Sequence, residues 1–571
     1  MARRIVRTAL QVSAVGILTL IVLFVLDRNY RVLPNALHEY LPQHYHGLVV
    51  TDIRITRCSS LNVFSSCTLD GGSGGGGGGG DLWHRIEKDL YLGKSMSHGY
   101  VHVQRKKEQD LLPEDQVVVD VAVGRLDPGA SAKGQAKAKA GAEGEAETGD
   151  DERWESRGSG LWVKRTERKH VGDTSHAVAA VDVLFGDDAV EAREGWAIKG
   201  TPLLLDGGSS IPAAHLTVRK GGRHETAKPQ PRIHDNGRFK IVQLADLHLS
   251  TGVGACRDAV PNTYNGGRCE ADPRTLDFVT KVLDDERPDL VVLSGDQVNG
   301  ETAPDAQSAI FKYAHLLIQR KIPYVTIFGN HDDEGSLPRA SQMALIESLP
   351  YSLSRAGPDT VDGVGNYVVE VLARGGSSHS ALTLYLLDTH AYSPDERKYK
   401  GYDWIKPNQI DWFRHTAQGL KKNHKEYTHV HMDVAFIHIP LPEYREPDQY
   451  YKGEWKEPPT APVYNSNFRD ALVEEGVVMV SCGHDHVNEY CALSVNEKNL
   501  PALWMCYGGG AGFGGYGGYG DFIRKIRVFD FDMNEGRIST WKRAEHGDAD
   551  KKLDVQIIVD AGKPVAPPPE E

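Results

Sequence analysis

Short apolar runs, each followed closely by glycine, aspartate, asparagine or histidine, recur through the second half of the chain. Their β-branched and aromatic residues predict buried strands, whereas apolar residues three and four positions apart at 305–320 predict a helix. Strands that alternate with helices in this way are typical of parallel βαβ units. The predicted strands are 239–244, 290–293, 324–328, 382–387, 434–437, 477–480, 523–531 and 537–541.

The first half of the chain has a different pattern, in which apolar and polar residues alternate and few helical intervals occur. This pattern predicts a β-rich accessory domain at 46–216. Two biased tracts within it predict flexible inserts: 71–80 is almost pure glycine, and 128–160 is rich in Ala, Gly, Lys and Glu. The alternating runs are 48–55, 100–104, 116–123 and 177–184.

The amino-acid composition predicts the remaining domain boundaries. A basic, polar stretch at 217–237 predicts a linker, and the α/β pattern predicts a second domain at 238–545. Residues 546–571 are predicted to be a C-terminal tail, and its end, rich in Pro and Glu, to be disordered.

An almost unbroken apolar run occupies residues 9–26. As a helix it would rise about 27 Å, enough to span a bilayer, and its bulky end is unlike a signal-peptide cleavage site. Arg3, Arg4 and Arg7 precede it, which favours a cytosolic N-terminus. We therefore expect a single-pass membrane protein of the endomembrane system, vacuole or cell surface. Residues 1–45 would be a cytosolic stub, transmembrane anchor and stalk, and the rest would be lumenal or extracytoplasmic.

Charge and cysteine content narrow the function classes. The 571 residues carry a net charge of −13, with a pI near 6.0, which argues against a nucleic-acid-binding protein. A lumenal chain can form disulfides. The local pairs would be Cys58 with Cys67, Cys256 with Cys269 and Cys482 with Cys491, leaving Cys506 over.

Candidate metal ligands lie at or just beyond the ends of five predicted strands. In an open α/β sheet, strand ends are where sites are built. Alternate residues of a strand share a face, so Asp-x-His and His-x-His should each present two ligands together. Carboxylate, imidazole and amide oxygen suit Mn, Fe or Zn, and one shared carboxylate would make a two-metal site. The segments are Asp246-Leu247-His248, Gly295-Asp296, Gly329-Asn330-His331-Asp332, His438 and Gly483-His484-Asp485-His486.

These five segments resemble the pattern of the calcineurin-like metallophosphoesterase superfamily: D-x-H, G-D, G-N-H-[DE], H and G-H-x-H. The resemblance implies an α/β fold, a four-layer α/β/β/α sandwich, with two divalent or mixed-valence metal ions. It implies in-line attack by a hydroxide that bridges the metals, while His331 protonates the leaving oxygen. The implied ligands are Asp246, His248, Asp296 and His486 for one metal, and Asp296, Asn330, His438 and His484 for the other.

Residues 329–337, 438–444 and 507–520 are similar to the fungal dosage-dependent cell-cycle-regulator phosphatases and to plant small purple-acid-phosphatase-like proteins. That similarity implies a phosphatase for phosphomonoesters, with phosphoproteins as substrates. The glycine-rich stretch within 507–520 has two interpretations: a flexible low-complexity segment, or a tight loop beside the site.

One position departs from the related enzymes. Asn299 stands where purple acid phosphatases have a tyrosine ligand and protein serine/threonine phosphatases an aspartate that orients the catalytic histidine. The group that orients His331 is therefore open, with Asp332 and Asp333 as candidates. We expect Asn299, Asp332 and Glu443 to contact the substrate.

Two other functions compete with the phosphomonoesterase. A phosphodiesterase acting on a nucleotide or lipid headgroup would use the same metals. A metal-binding scaffold would need no catalytic group, yet every ligand and His331 are present in the sequence.

Overall fold

The computed structural model describes residues 47–567 except for the gaps 60–66, 68, 70–82, 93–96, 108–109, 113, 130–152, 168–175, 207–210, 223–224, 424, 426, 428, 447–449 and 519. The predicted anchor at 9–26 and the insert at 71–80 lie outside the described residues. Within the described part, no helix is long and apolar enough to cross a membrane. The chain divides into an N-terminal unit, Met1–Leu184 with Gly195–His224, and a C-terminal unit, Phe185–Glu194 with Glu225–Glu571.

The N-terminal unit contains, within its described residues, three sheets of three strands each. The strand orders are β1-β3-β2, β4-β6-β5 and β7-β9-β8. Fully buried valines and leucines fill the faces that alternate with polar residues, in agreement with the predicted β-rich pattern. The strands are β1 Leu48–Ser59, β2 Trp83–Arg85, β3 Ser97–Lys107, β4 Gln116–Val123, β5 Arg153–Gly158, β6 Leu161–Glu167, β7 Val178–Phe185, β8 Trp196–Ile198 and β9 Ala214–Lys220.

The first sheet of the C-terminal unit has the order β12-β11-β10-β20-β21-β22-β23 among the described strands. Its β10, β11 and β12 are parallel, whereas β20 and β21 form the predicted antiparallel hairpin. The strands are β10 Arg238–Leu244, β11 Leu290–Ser294, β12 Tyr324–Ile327, β20 Lys525–Asp532, β21 Arg537–Ala544, β22 Leu553–Asp560 and β23 Lys563–Pro564.

The second sheet has the order β13-β14-β15-β17-β19-β18-β16 in the described chain. Its central strands β14, β15, β17 and β19 are parallel, so their carboxyl ends meet at one edge. The strands are β13 Tyr367–Leu372, β14 Ser380–Leu386, β15 Met432–Phe436, β16 Tyr450–Lys452, β17 Val477–Cys482, β18 Cys491–Val495 and β19 Pro501–Tyr507.

The two sheets pack face to face and helices cover the outside, which gives the implied four-layer arrangement. Between the sheets lie buried residues of both, with Phe436 and Phe529 edge to face at 6.1 Å. On the outer face of the second sheet, Phe413 packs against Tyr385 and Phe468. Such a side chain contributes roughly 1.5–3 kcal/mol when fully buried. The helices are α1 Ala271–Glu286, α2 Ala306–Gln319, α3 Arg339–Ser348, α4 Pro407–Asn423 and α5 Phe468–Glu474.

Several predicted boundaries differ from the structure. The insert at 128–160 includes β5, which pairs with β6, and β9 extends into the predicted linker. The segment predicted to be a tail contains β22 and β23, which extend the first sheet. These strands contain charged residues and show no simple alternation of buried and exposed positions, so only their pairing with a neighbouring strand identifies them.

The disulfide pattern also differs from the prediction. Cys58–Cys67 and Cys256–Cys269 are paired, but Cys491 bonds to Cys506, and Cys482 is a buried thiol. The predicted Cys482–Cys491 pair was wrong because the register of β18 and β19 places Cys491 directly opposite Cys506. The prediction had paired Cys491 with Cys482 because these two cysteines are close along the chain.

A buried ion pair secures the loop that follows β10. Lys312 of α2 contacts Asp272 of α1 at 2.7 Å and donates to the Ser250 carbonyl at 2.9 Å. Lys312→Met would leave a buried carboxylate unpaired, and we expect it to lower the free energy of unfolding by about 3–5 kcal/mol. Lys281→Met, which removes an exposed ion pair with Asp285, is the control and should cost about 1 kcal/mol or less. Equal losses in denaturant titrations would contradict the assigned role of Lys312.

Candidate metal centre

Five loops meet where the carboxyl ends of β10, β11, β12, β15 and β17 converge. The loops after β10 and β11 are joined by their backbones: Asp246 N donates to Gly295 O at 3.1 Å, and His248 N donates to Asp296 O at 2.9 Å. Gly483 N donates to His438 O at 3.1 Å, which joins the loops after β17 and β15. Backbone hydrogen bonds therefore hold the ligand-bearing segments together.

Four predicted ligands adopt a left-handed backbone conformation. The φ angles are 57° at Asp246, 48° at His248, 52° at Asp296 and 81° at His484. Each such non-glycine residue costs on the order of 1–3 kcal/mol and is tolerated where the surrounding structure imposes it. The predicted same-face geometry of a strand is therefore wrong for Asp246 and His248. They meet because the chain turns sharply after β10, not because a strand continues.

Two groups of side chains come together around one shared carboxylate. In each group the candidate ligand atoms lie within 4.8 Å of one another. His248 Nε2 is 3.6 Å from Asp296 Oδ2, and His438 Nε2 is 3.3 Å from the same oxygen. Asp296 thus lies between the groups, as a bridging ligand must. The groups are Asp246, His248, Asp296 and His486, and Asp296, His438 and His484.

Burial and neighbouring charges set the protonation of these groups. Burial lowers the pKa of His248 to about 3. Burial opposes ionisation of Asp296, but the charge and hydrogen bond of His438, together with the charges of His248 and His331, hold the pKa of Asp296 well below its usual value. Burial lowers the pKa of His438, but the charge and hydrogen bond of Asp296, together with the charge of Asp246 and the hydrogen bond to Ser294, raise that pKa to about 9. A neutral imidazole and an ionised carboxylate are the forms that bind a cation, so His248 and Asp296 are in the binding form, whereas His438 must lose a proton when a cation binds.

The residues present fit a pair of metal ions. Asn330 Oδ1 and His484 Nε2 are buried without a hydrogen-bond partner, an arrangement that is costly unless a ligand satisfies them. His438 Nδ1 donates to Ser294 O at 2.9 Å, so its Nε2 faces Asp296. His486 Nδ1 likewise donates to Tyr516 O at 2.8 Å. Such partners fix the ring orientation that a metal ligand needs.

The glycine-rich segment is a tight loop beside this site, the second of its two interpretations. Tyr516 stacks on His486 at 4.0 Å, and its hydroxyl donates to Glu457 at 2.7 Å. A Cβ at Gly515 would lie 2.3 Å from His486 Cε1 and 2.7 Å from His248 Cδ2. Only glycine lets the backbone come this close to both imidazoles.

Gly515→Ala should therefore weaken metal binding. The added methyl must displace His486 or His248, and disturbing the surroundings of a ligand typically costs about 10- to 100-fold in affinity. The measurement is metal retained after dialysis against a competing chelator. Gly518→Ala is the matched control, because a Cβ there meets nothing within 4 Å. Equal retention by the two variants would show that the loop does not shape the site.

His331 borders the two ligand groups without belonging to either. Its backbone N donates to Asp296 Oδ1 at 2.8 Å, and its ring centroid is 5.3 Å from that of His248. The side chain is about one-third exposed, at 34%. Its Nδ1 is hydrogen-bonded to Glu334 Oε2 at 2.8 Å, and the Tyr392 hydroxyl donates to Glu334 Oε1 at 3.1 Å.

Neither Glu334 nor Tyr392 was predicted as a site residue. Glu334 lies three positions after His331, a spacing at which the side chains of a turn can meet. This spacing was the feature of the sequence that could have identified Glu334 as a partner of His331. Tyr392 comes from a loop distant in the chain, so no local pattern could identify it.

The three predicted substrate contacts are placed differently from one another. Asp332 is buried, and its carboxylate accepts hydrogen bonds from the amides of Asp296, Val298 and Gly329 at 2.7–2.9 Å. That geometry assigns the Asp332 carboxylate to anchoring the loops, and its contact with substrate stays a prediction. Asn299 is buried, and its backbone N pairs with Leu249 O. Glu443 accepts from Asn465 at 2.7 Å in a short 3-10 helix, Pro442–Arg445.

The fold and this paired-ligand site define a dinuclear metallophosphoesterase. The family model for calcineurin-like phosphoesterases matches residues 239–488. The chain belongs to that family, and it is a metal-dependent phosphoric ester hydrolase of a class that uses two divalent metals.

Two relatives that are more than 30% identical to this chain agree with this membership. Phosphatase DCR2 of Saccharomyces cerevisiae is 40% identical over 402 residues, covering 68% of this chain and 68% of its own. The Arabidopsis thaliana protein named "Probable inactive purple acid phosphatase 14" is 36% identical, over 59% of this chain and 86% of its own. A dimetal phosphatase of Danio rerio has a TM-score of 0.37 and 13% identity, over 56% of this chain and 98% of that structure.

Proposed function

We propose that this protein hydrolyses phosphomonoesters and that its physiological substrates are phosphoproteins. The observation that carries the proposal is the position of His331 at the border of two ligand groups that share Asp296. A partly exposed imidazole there can reach the leaving oxygen of a phosphoryl group bound between the groups. The relative in Saccharomyces cerevisiae is itself named a phosphatase.

Each side chain has a distinct task in this mechanism. When bound, two cations polarise the phosphoryl group and lower the pKa of water. His331 donates a proton to the leaving oxygen, and burial keeps the imidazoles of His248 and His484 neutral for metal binding. The residues that would hold the cations are Asp246, His248, Asp296 and His486 on one side, and Asp296, Asn330, His438 and His484 on the other.

We further propose that residues 9–26 anchor the protein in an endomembrane, vacuolar or plasma membrane, with both units lumenal or extracytoplasmic. The arginines that precede the run support this orientation, as do three disulfides, which form in oxidising compartments. Protease protection of a chain tagged at both ends tests it. In sealed vesicles with the cytosolic face outward, the C-terminal tag should be protected from added protease. Digestion of that tag would show that the two units face the cytosol.

The test of the proposed activity compares 4-nitrophenyl phosphate with bis(4-nitrophenyl) phosphate on the full-length, metal-loaded protein. A monoesterase should favour the first by about tenfold or more in kcat/KM, a difference of about 1.4 kcal/mol in transition-state binding. A preference for the diester would replace the proposal with a phosphodiesterase that acts on a nucleotide or lipid headgroup. Inactivity on both would remove the proposed activity.

A further inference from the structure

The side chain of Glu334 joins His331 to a second loop. Its Oε2 contacts His331 Nδ1 at 2.8 Å, and its Oε1 accepts from the Tyr392 hydroxyl at 3.1 Å. We infer that Glu334, held by Tyr392, orients His331 to protonate poor, aliphatic leaving groups, so that the substrates are alkyl phosphomonoesters such as phosphoserine and phosphothreonine. This inference rests on the proposed monoesterase function and specifies its substrate class.

The turn that carries both residues is fixed by close packing. Gly300 N donates to His331 O at 3.1 Å. A Cβ at Gly300 would lie 2.5 Å from Glu334 Cβ and 2.6 Å from His331 O, so this backbone contact needs glycine. The anchored carboxylate of Asp332 fixes the centre of the same turn. His331 and Glu334 are therefore held at a set separation before any substrate binds.

Tyr392 lies in a hairpin that packs against the metal ligand His484. An antiparallel bridge links Tyr392 to Tyr402, and their rings stack at 5.7 Å. The Tyr402 ring meets His484 edge to face at 4.3 Å. The hydroxyl that holds Glu334 is thus positioned by a contact that extends to the ligand His484.

Other acidic candidates for this role are engaged elsewhere. Asp332 accepts three backbone hydrogen bonds, and Asp333 pairs with Arg339 at 3.2 Å. Among the described residues, the carboxylate that pairs with the His331 ring is that of Glu334. Glu334 is therefore the carboxylate that orients His331. Asn299 cannot take this role because its side chain is uncharged.

The hydrogen bond to Glu334 decides which nitrogen faces the substrate. With Nδ1–H donated to the carboxylate, Nε2 is the nitrogen that can carry the transferable proton. In hydrolysis, a water oxygen bonds to phosphorus and the bond from phosphorus to the ester oxygen breaks. The ester oxygen keeps that electron pair and takes the Nε2 proton, leaving as an alcohol. The proton that the attacking water releases then restores His331 through solvent, and inorganic phosphate is the second product.

Such a proton donor matters most for an alcohol that leaves poorly. The pKa of a phenol is about 10, whereas that of an aliphatic alcohol is near the value of about 15.7 for water. Nitrophenolate can depart without a proton, but a serine alkoxide needs one, so an oriented acid chiefly accelerates alkyl esters.

The test is the leaving-group dependence of Glu334→Gln in the full-length, metal-loaded protein. We expect kcat to fall about 10²-fold on a phosphoserine peptide but only about threefold on 4-nitrophenyl phosphate, with metal content unchanged. Tyr392→Phe, which keeps the ring and loses the hydroxyl, should show the same selectivity with a smaller loss of about fivefold on the peptide. The controls Glu497→Gln and Tyr451→Phe remove an exposed carboxylate and a partly exposed hydroxyl elsewhere, and neither substrate should respond.

Equal losses on both substrates, or no loss on either, in a Glu334→Gln protein with normal metal content would overturn the orienting role. A wild-type protein that hydrolyses 4-nitrophenyl phosphate but not the phosphoserine peptide would overturn the substrate class. A wild type inactive on every monoester would instead remove the proposed function, so the two failures are distinguishable.

Discussion

Asp296→Asn should reduce phosphomonoester hydrolysis by about 10³-fold or more and release bound metal. Asp296 Oδ2 lies within 3.6 Å of ligand nitrogens from both groups, so an amide there removes the one negative charge that both cations would share. Metal ions typically contribute several kcal/mol of transition-state stabilisation, and each 1.36 kcal/mol is a factor of ten in rate. The measurements are kcat on 4-nitrophenyl phosphate and metal content by elemental analysis.

Asp548→Asn is the matched control for this loss. Asp548 is an exposed aspartate that pairs with Lys551, and the same change there should alter neither metal content nor rate. An Asp296→Asn protein that retains both metals and near wild-type activity would show that Asp296 is not the bridging ligand.

His331→Ala should reduce hydrolysis by about 10²- to 10⁴-fold while leaving both metals bound, because the imidazole is assigned to proton transfer and not to ligation. The loss should be greatest on a phosphoserine peptide. His429→Ala, at an exposed histidine, is the control. Loss of metal together with activity would instead make His331 a ligand, and an unchanged rate would remove it from the mechanism.

The strands and the ligand-bearing segments at their ends could be predicted because each depends on local pattern, whereas the division of the ligands into two groups was implied by the family resemblance. Buried parallel strands must be apolar on both faces, so β11 and β15 stand out as continuous runs between polar segments. Polar residues at the ends of parallel strands converge at one sheet edge, as Asp246 and Asp296 do after β10 and β11. His438 follows β15 of the second sheet and joins them because the two sheets pack face to face.

The remaining features depend on contacts between distant segments. The left-handed conformation of Asp246 and His248 is imposed by the loops around them, so strand alternation described them wrongly. Tyr392 reaches Glu334 from 58 residues away, and no spacing rule covers such a pair. Asp332 could be assigned to its anchoring role only when the amides of Asp296 and Val298 were seen to surround it.

Strand pairing also explains why the C-terminal tail and one disulfide were predicted wrongly. In β22 the usual pattern is reversed, because Gln556 is buried whereas Val555 and Ile557 are exposed. A charged, Pro-ended tail with this pattern resembles disordered sequence until its partner strand β21 is known. Cys491 and Cys506 are opposite one another only through the register of β18 and β19.

The most direct test of the central claim is a metal titration of the purified full-length protein after chelation. The site described here should bind two divalent ions per chain, one for each ligand group, and hydrolysis of a phosphoserine peptide should return as the second ion binds. Hydrolysis that persists in the fully stripped protein would contradict the account. A folded protein with two bound ions and no hydrolysis of any phosphate ester would contradict it equally.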